Sequence, residues 1–176
     1  MGSFAVGMWT DSLRPNEAWP LTPVGEPGLY RWYLDGPLPV SFDWPSTLIP
    51  LEMGDLLYVG KATNLRTRAK HHRLPTSGSA LRRTLSSLAG YRAIWRGKSA
   101  HPGISRNDDA LLTEWMNNNL LLSFLVLNNE EVLDKAEADL RKKSRAPLNK
   151  DQMGPEQEHA YSAGKLWRKA AVDLRL

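Results

Sequence analysis

The chain has no cysteine in 176 residues. That excludes disulfides and thiolate metal sites and fits a cytoplasmic protein. It also lacks any apolar run long enough to cross a bilayer. The longest, Leu120-Leu121-Leu122-Ser123-Phe124-Leu125-Val126-Leu127, is the length of one strand. The N-terminus has no basic stretch followed by an apolar one, so neither a secretory signal nor a membrane partner is expected. Internal repeats and low-complexity tracts are missing as well. The most telling absence is local. From Leu56 to Asn107 there is no Asp or Glu.

That acid-free stretch holds eleven of the 23 Lys and Arg residues and three of the four histidines. The other twelve basic residues stand against all nineteen acids, a net of −7, so the overall +4 hides a strong segregation. Clustered Lys and Arg attract polyanions and release their counterions. A nucleic-acid partner is therefore expected. Hydrophobic residues at 41% and charged residues at 24% are ordinary for a globular protein, and the length suits one domain with a substantial core.

Residues 1–27, rich in Pro, Gly and Trp, read as an N-terminal arm without sustained period. Gly28 to Leu34 and Leu56 to Gly60 read as strands that pair as an antiparallel hairpin. Pro37, Pro39, Pro45 and Pro50 make the stretch between them a long loop. A helix is predicted from Thr63 or Asn64, both good caps, to Pro75, with Leu65, Ala69 and His72 on one side. A second runs from Ser77-Gly78-Ser79 to Gly90 on the row Leu81, Leu85 and Leu88, leaving Arg82 and Arg83 outward. Tyr91 to Trp95 is a short strand and 96–107 a basic loop. A helix capped by Asp108 reaches Met116. The strand Leu120–Leu127 is closed by Asn128-Asn129. A helix from Glu130 to Lys143 carries the stripe Val132, Leu133, Ala136 and Leu140, with Glu137 on its shoulder. A last amphipathic helix, about 155–173, turns Leu166, Trp167, Ala170 and Leu174 to one side. The fold class expected is α+β.

Hydrolysing a phosphodiester needs an activated water, neutralisation of the phosphoryl oxygens and help for the leaving oxygen. Candidates stand in two segments. One is Gly28-Leu29-Tyr30. The other begins Tyr58-Val59-Gly60-Lys61 and carries Arg68 ten residues after Tyr58 and His72 four further on. Each residue alone has a blander reading, as a core aromatic, a solvated cation or a turn residue. Together with Glu137 and Asn149 twelve residues beyond it, the pattern resembles the GIY-YIG nuclease family over roughly residues 28–150. Lys61 is similar to the branch that includes the bacterial excision-repair nuclease UvrC.

The resemblance implies a small antiparallel-rich sheet flanked by helices, with residues 151–176 packed on the same domain. It implies a metal-dependent endonuclease acting on DNA, with RNA the less favoured alternative to DNA and monomer and dimer both open. It implies that Tyr58 is the base or positions the water and that Tyr30 tunes it. Arg68 would neutralise the phosphorane, and His72 would contact phosphate or shuttle a proton. Glu137 would hold one Mg²⁺ or Mn²⁺. Lys61 and Arg68 would favour the Tyr58 phenolate. Arg66, Lys70, His71, Arg82, Arg83, Arg92, Arg96 and Lys98, with Arg106, would meet flanking phosphates. The pattern departs from compact members in the long 35–55 connection and the 91–118 stretch, which leaves Glu114 a rival for Glu137. From another functional class, a non-cleaving binding module with the same fold is the alternative.

Overall fold

Three strands form the platform. β1 (Gly28–Leu34) lies between β2 (Leu56–Ala62) and β4 (Leu120–Val126), antiparallel to both. The computed structural model describes residues 7–21, 25–73, 75–127, 129–150 and 154–174, with Trp19 and His71 by backbone alone. Asn128, the expected strand closer, falls outside the described residues. β1 is central because both of its neighbours use its full hydrogen-bonding capacity, and it reads almost continuously apolar. Period-two alternation puts Tyr30, Trp32 and Leu34 on one face. Gly60 and Tyr58 lie beside them on β2, and Phe124, Leu122 and Leu120 on β4. This face builds the core.

Both sheet edges are covered, which prevents edge-to-edge pairing. The arm is not irregular along its described length. It crosses β4, with Trp9 bridging Leu125 and Leu13 bridging Leu122, and continues into α1 (Pro15–Leu21). On the β2 edge, the Leu148 N–H donates to Leu57 O at 3.0 Å, and Asn149 pairs with Val59.

The helices follow the predicted caps with two differences. Asn64 Oδ1 accepts the Thr67 N–H at 3.0 Å, starting α2 (Leu65–Arg73). Ser79 caps α3 (Ala80–Leu88), and Gly90 after it takes φ +76°. α4 (Arg106–Asn119) begins earlier than expected, because Ser105 rather than Asp108 is the cap. Asp108 is instead the acidic third residue whose carboxylate accepts the Ser105 hydroxyl at 2.7 Å. α5 spans Leu133–Ser144 after a 3₁₀ turn at Glu130–Val132, so Val132 is exposed and falls out of the stripe.

α6 ends at Lys169, short of the expected 173. Residues Val172–Asp173 form β5, parallel to β3 (Ile94–Trp95), with the Val172 N–H on Ala93 O and the Leu174 N–H on Trp95 O, each at 3.0 Å. A second small sheet takes backbone groups that a longer helix would have paired internally. The apolar side assigned to this helix is also different. Gln157 and Ala160 are buried, whereas Leu166 and Leu174 are exposed. α6 packs on α3, and the Trp167 indole N–H donates to Tyr91 O at 2.6 Å. No helix among the described residues is long and apolar enough to cross a membrane.

Candidate active site

The two motif glycines are there because tyrosine and backbone pass over them. Tyr30 faces Gly60 in the β1–β2 register, and an ideal Cβ on Gly60 would collide with the Tyr30 hydroxyl and Cζ. A Cβ on Gly28 would collide with Leu125 O of β4. Glycine at 60 thus lets the Tyr30 ring cross the strand toward Tyr58. The two rings stack with centroids 6.2 Å apart and planes at 26°. Both are buried.

Burial raises the pKa of both phenols, most strongly for Tyr30. Besides burial, each phenol acts on the other through their close packing, raising Tyr30 and lowering Tyr58. On Tyr58, Arg141 is the strongest opposing influence, and Arg68 helps it. The Glu137 charge acts the other way. Desolvation outweighs the guanidinium groups, and Lys61 is engaged with carboxylates.

Glu137 lies in the centre of the buried row of α5, one turn after Leu133, and is 7% exposed. It is not on the shoulder of the stripe, because the helix begins after Val132 and rotates the row. Lys61 Nζ is 3.1 Å from one carboxylate oxygen, and Arg141 Nη2 is 2.8 Å from the other. Lys61 also pairs with the exposed Asp134. Arg141 and Asp134 were not singled out in the sequence, although Arg141 one turn after Glu137 was a readable ion-pair signal. Glu114 is exposed on α4 and exerts no resolved influence on either tyrosine. The structure brings Glu137, not Glu114, to the pair.

His72 packs behind Tyr30. Its ring meets Tyr30 edge-on at 5.0 Å and Trp32 at 5.3 Å, and Nδ1 is 2.8 Å from Ser79 Oγ. It is 4% exposed, so its ring is held by these neighbours rather than presented to solvent. Asn149 is equally committed. Its Oδ1 accepts the Val59 N–H at 2.8 Å, and its Nδ2 donates to Val59 O at 2.7 Å. The side-chain amide mimics a neighbouring strand and holds β2 beside Tyr58. Arg68 is half-buried and its charge reaches both tyrosines.

One expected phosphate contact is overturned. Arg82 is fully buried rather than outward. Its guanidinium donates to Asp109 Oδ1 at 3.0 Å, to Asp109 O at 3.0 Å and to His72 O at 3.1 Å. The row Leu81, Leu85 and Leu88 does face the core, but α3 is covered on a second side by α4, and that side takes Arg82. Arg83 is half-buried, with Nη1 donating to Ser77 O at 2.7 Å. Arg66 is half-buried and donates to Pro20 O at 3.1 Å, tying α2 to α1. Lys70, Arg92, Arg96, Lys98 and Arg106 are exposed. The His71 side chain lies outside what is described.

The donor set at Glu137 is one carboxylate flanked by cations, and no group of three acidic or histidine side chains among the described residues forms a metal cage. Each carboxylate oxygen keeps a second lone pair beyond its ion pair. An oxygen-only ligand of this kind fits a hard divalent ion that draws most of its ligands from water and phosphate, not a structural metal.

No curated protein and no solved structure matches the chain. Residues 28–168, however, match the family model of the GIY-YIG catalytic domain. That span contains the tyrosine pair, both motif glycines, Arg68, His72, Glu137 and Asn149, and it covers most of the chain. The chain therefore belongs to the GIY-YIG catalytic-domain family, a family of nucleases.

Proposed function

We propose that this protein is a divalent-metal-dependent endonuclease that hydrolyses phosphodiester bonds in DNA in the cytoplasm. The observation that carries this reading is the convergence of Glu137, Arg68 and Arg141 on the Tyr30–Tyr58 pair. Glu137 would hold Mg²⁺ or Mn²⁺, which would supply charge neutralisation at the scissile phosphate. Tyr58 orients the attacking water by hydrogen bonding, with the Tyr30 ring stacked beside it. Arg68 and Arg141 place positive charge where the phosphorane develops. Lys61 holds one Glu137 oxygen in an ion pair. His72 and Asn149 are positioning residues, acting on Tyr30 and on β2.

A second reading is a nucleic-acid-binding module that does not cleave. Both Glu137 oxygens already meet cations, and both phenols are pushed toward the neutral form, which favours it. The test is nicking of supercoiled plasmid with Mg²⁺ or Mn²⁺, against EDTA and Glu137→Ala. Metal-dependent nicking lost in Glu137→Ala supports the nuclease. Salt-sensitive binding without nicking under either metal supports the module.

A further inference from the structure

A recess of about 70 Å³ is lined by Arg83, His101, Lys150 and Arg168, with Thr84, Pro102, Gly164 and Trp167 completing its wall. The four basic residues come from different parts of the chain: α3, the basic loop, the turn after α5, and α6. Each is placed by the fold. Arg83 is tied to Ser77 O, and its charge interacts with Tyr58. Lys150 directly follows Asn149, which is clamped to Val59, the neighbour of Tyr58. Arg168 sits on α6, which packs on α3, and its guanidinium lies 5.6 Å from the Trp95 ring centroid. The Ser99 hydroxyl donates to His101 O at 2.8 Å and shapes the loop.

Among the described residues, none of the four makes an ion pair with Asp or Glu. Partial desolvation lowers the proton affinity of Arg83, His101 and Lys150, and repulsion from Arg168 adds to it for each, while Tyr58 acts the other way on Arg83. Bringing like charges together without compensation is unfavourable unless an anion enters. A recess of this size holds a few waters, the scale of one phosphoryl group. The adjoining surface carries the exposed Arg96 and Arg106 around a second hollow that shares His101 and is also lined by Asp109, the partner of Arg82.

We infer that this recess is a phosphate subsite that grips an internal phosphodiester of the bound DNA strand next to the scissile one. The inference rests on the nuclease reading for the word scissile, but its test reads binding. Arg83 and Lys150 would contact the phosphate oxygens, and Arg168 would close the recess from α6. Such a contact sets the register of the strand on the tyrosines without reading sequence.

The experiment is fluorescence anisotropy with a short DNA duplex, in a Glu137→Ala background without metal, between about 50 and 200 mM salt. Lys150→Gln/Arg168→Gln removes two exposed charges, so folding is retained and is checked by thermal melting. About tenfold weaker binding and a salt slope shallower by about one or two are expected. Arg168→Lys in place of Arg168→Gln should restore part of the loss. A methylphosphonate at one internal position should weaken the unsubstituted protein but not the double variant. Equal affinity of the two proteins overturns the subsite, as does a methylphosphonate scan that affects both alike. A loss seen only with a terminal phosphate overturns the internal assignment. Plasmid nicking with no such coupling leaves the nuclease standing and removes the subsite. Coupling without nicking under any metal does the reverse.

Discussion

Two buried carboxylates meet arginines in this molecule, and they behave differently. Asp109 faces Arg82 where neither is open to water, with the Arg82 side chain at 0% and that of Asp109 at 11% exposure. The Thr76 N–H and hydroxyl complete the Asp109 shell, and His72 O takes another guanidinium hydrogen. One cation meets one anion, and the surrounding donors and acceptors are shared out among themselves. Glu137 is held between two cations, one of them Lys61 with 37% of its side chain exposed. Asp134, at 86%, lies on the solvent side. The first cluster is closed and fastens α3 to α4. The second is open to solvent through Lys61 and Asp134, and its charges act on the tyrosines. A closed pair holds a fold together, and an open one can exchange partners with a substrate.

The sharpest break between them is functional. Glu137→Ala should lower metal-dependent cleavage by roughly 10²–10³-fold, with a melting temperature near that of the unsubstituted protein. A plasmid assay beside a thermal melt reads both. Arg82→Ala should do the opposite, costing about 3–5 kcal/mol of stability by leaving Asp109 unpaired in the interior. Denaturant unfolding measures it, and activity per folded molecule should survive. Arg82→Met with Asp109→Leu should recover much of that loss, since a closed pair can be replaced by apolar packing. No apolar replacement should rescue Glu137.

Tyr58→Phe should reduce cleavage by about 10²-fold with little change in stability. Near-full activity would remove Tyr58 from the water-positioning role. Asn149→Ala should cost about 1–3 kcal/mol, because it leaves both the Val59 N–H and C=O without partners. The smallest effect is in pH. A free tyrosine titrates near 10, and burial raises both phenols above that. Their contribution to stability is therefore fully present below about pH 10 and is lost as pH rises toward the folded values. Unfolding free energy should fall on the alkaline side. The double variant Tyr30→Phe/Tyr58→Phe should flatten that slope, as denaturant titrations across the range would show.

The tyrosine pair was legible before the fold because strand periodicity and the two Tyr–Gly spacings are local properties of the chain. Arg68 was readable at its helical offset for the same reason. Glu137 was reached through the family resemblance, with Asn149 twelve residues on and a strand before it, but its central position was missed because the 3₁₀ turn takes Val132 out of the helix. Arg82 was misplaced because a helical wheel shows one apolar row and says nothing of a second helix covering another side. Arg141 was overlooked although its i,i+4 relation to Glu137 is local.

The sequence by itself determined that a cysteine-free, basic-centred α+β chain carries two aromatic strands and capped helices, since propensity, periodicity and caps act over a few residues. Only the tertiary structure decided which arginine is inside, that Asn149 and the N-terminal arm cover the sheet edges, that α6 gives way to β5, and that four distant cations share one recess. Those outcomes depend on burial and on pairing between residues far apart in the chain. Desolvation and Coulomb interaction act through space, and a sequence does not record distance.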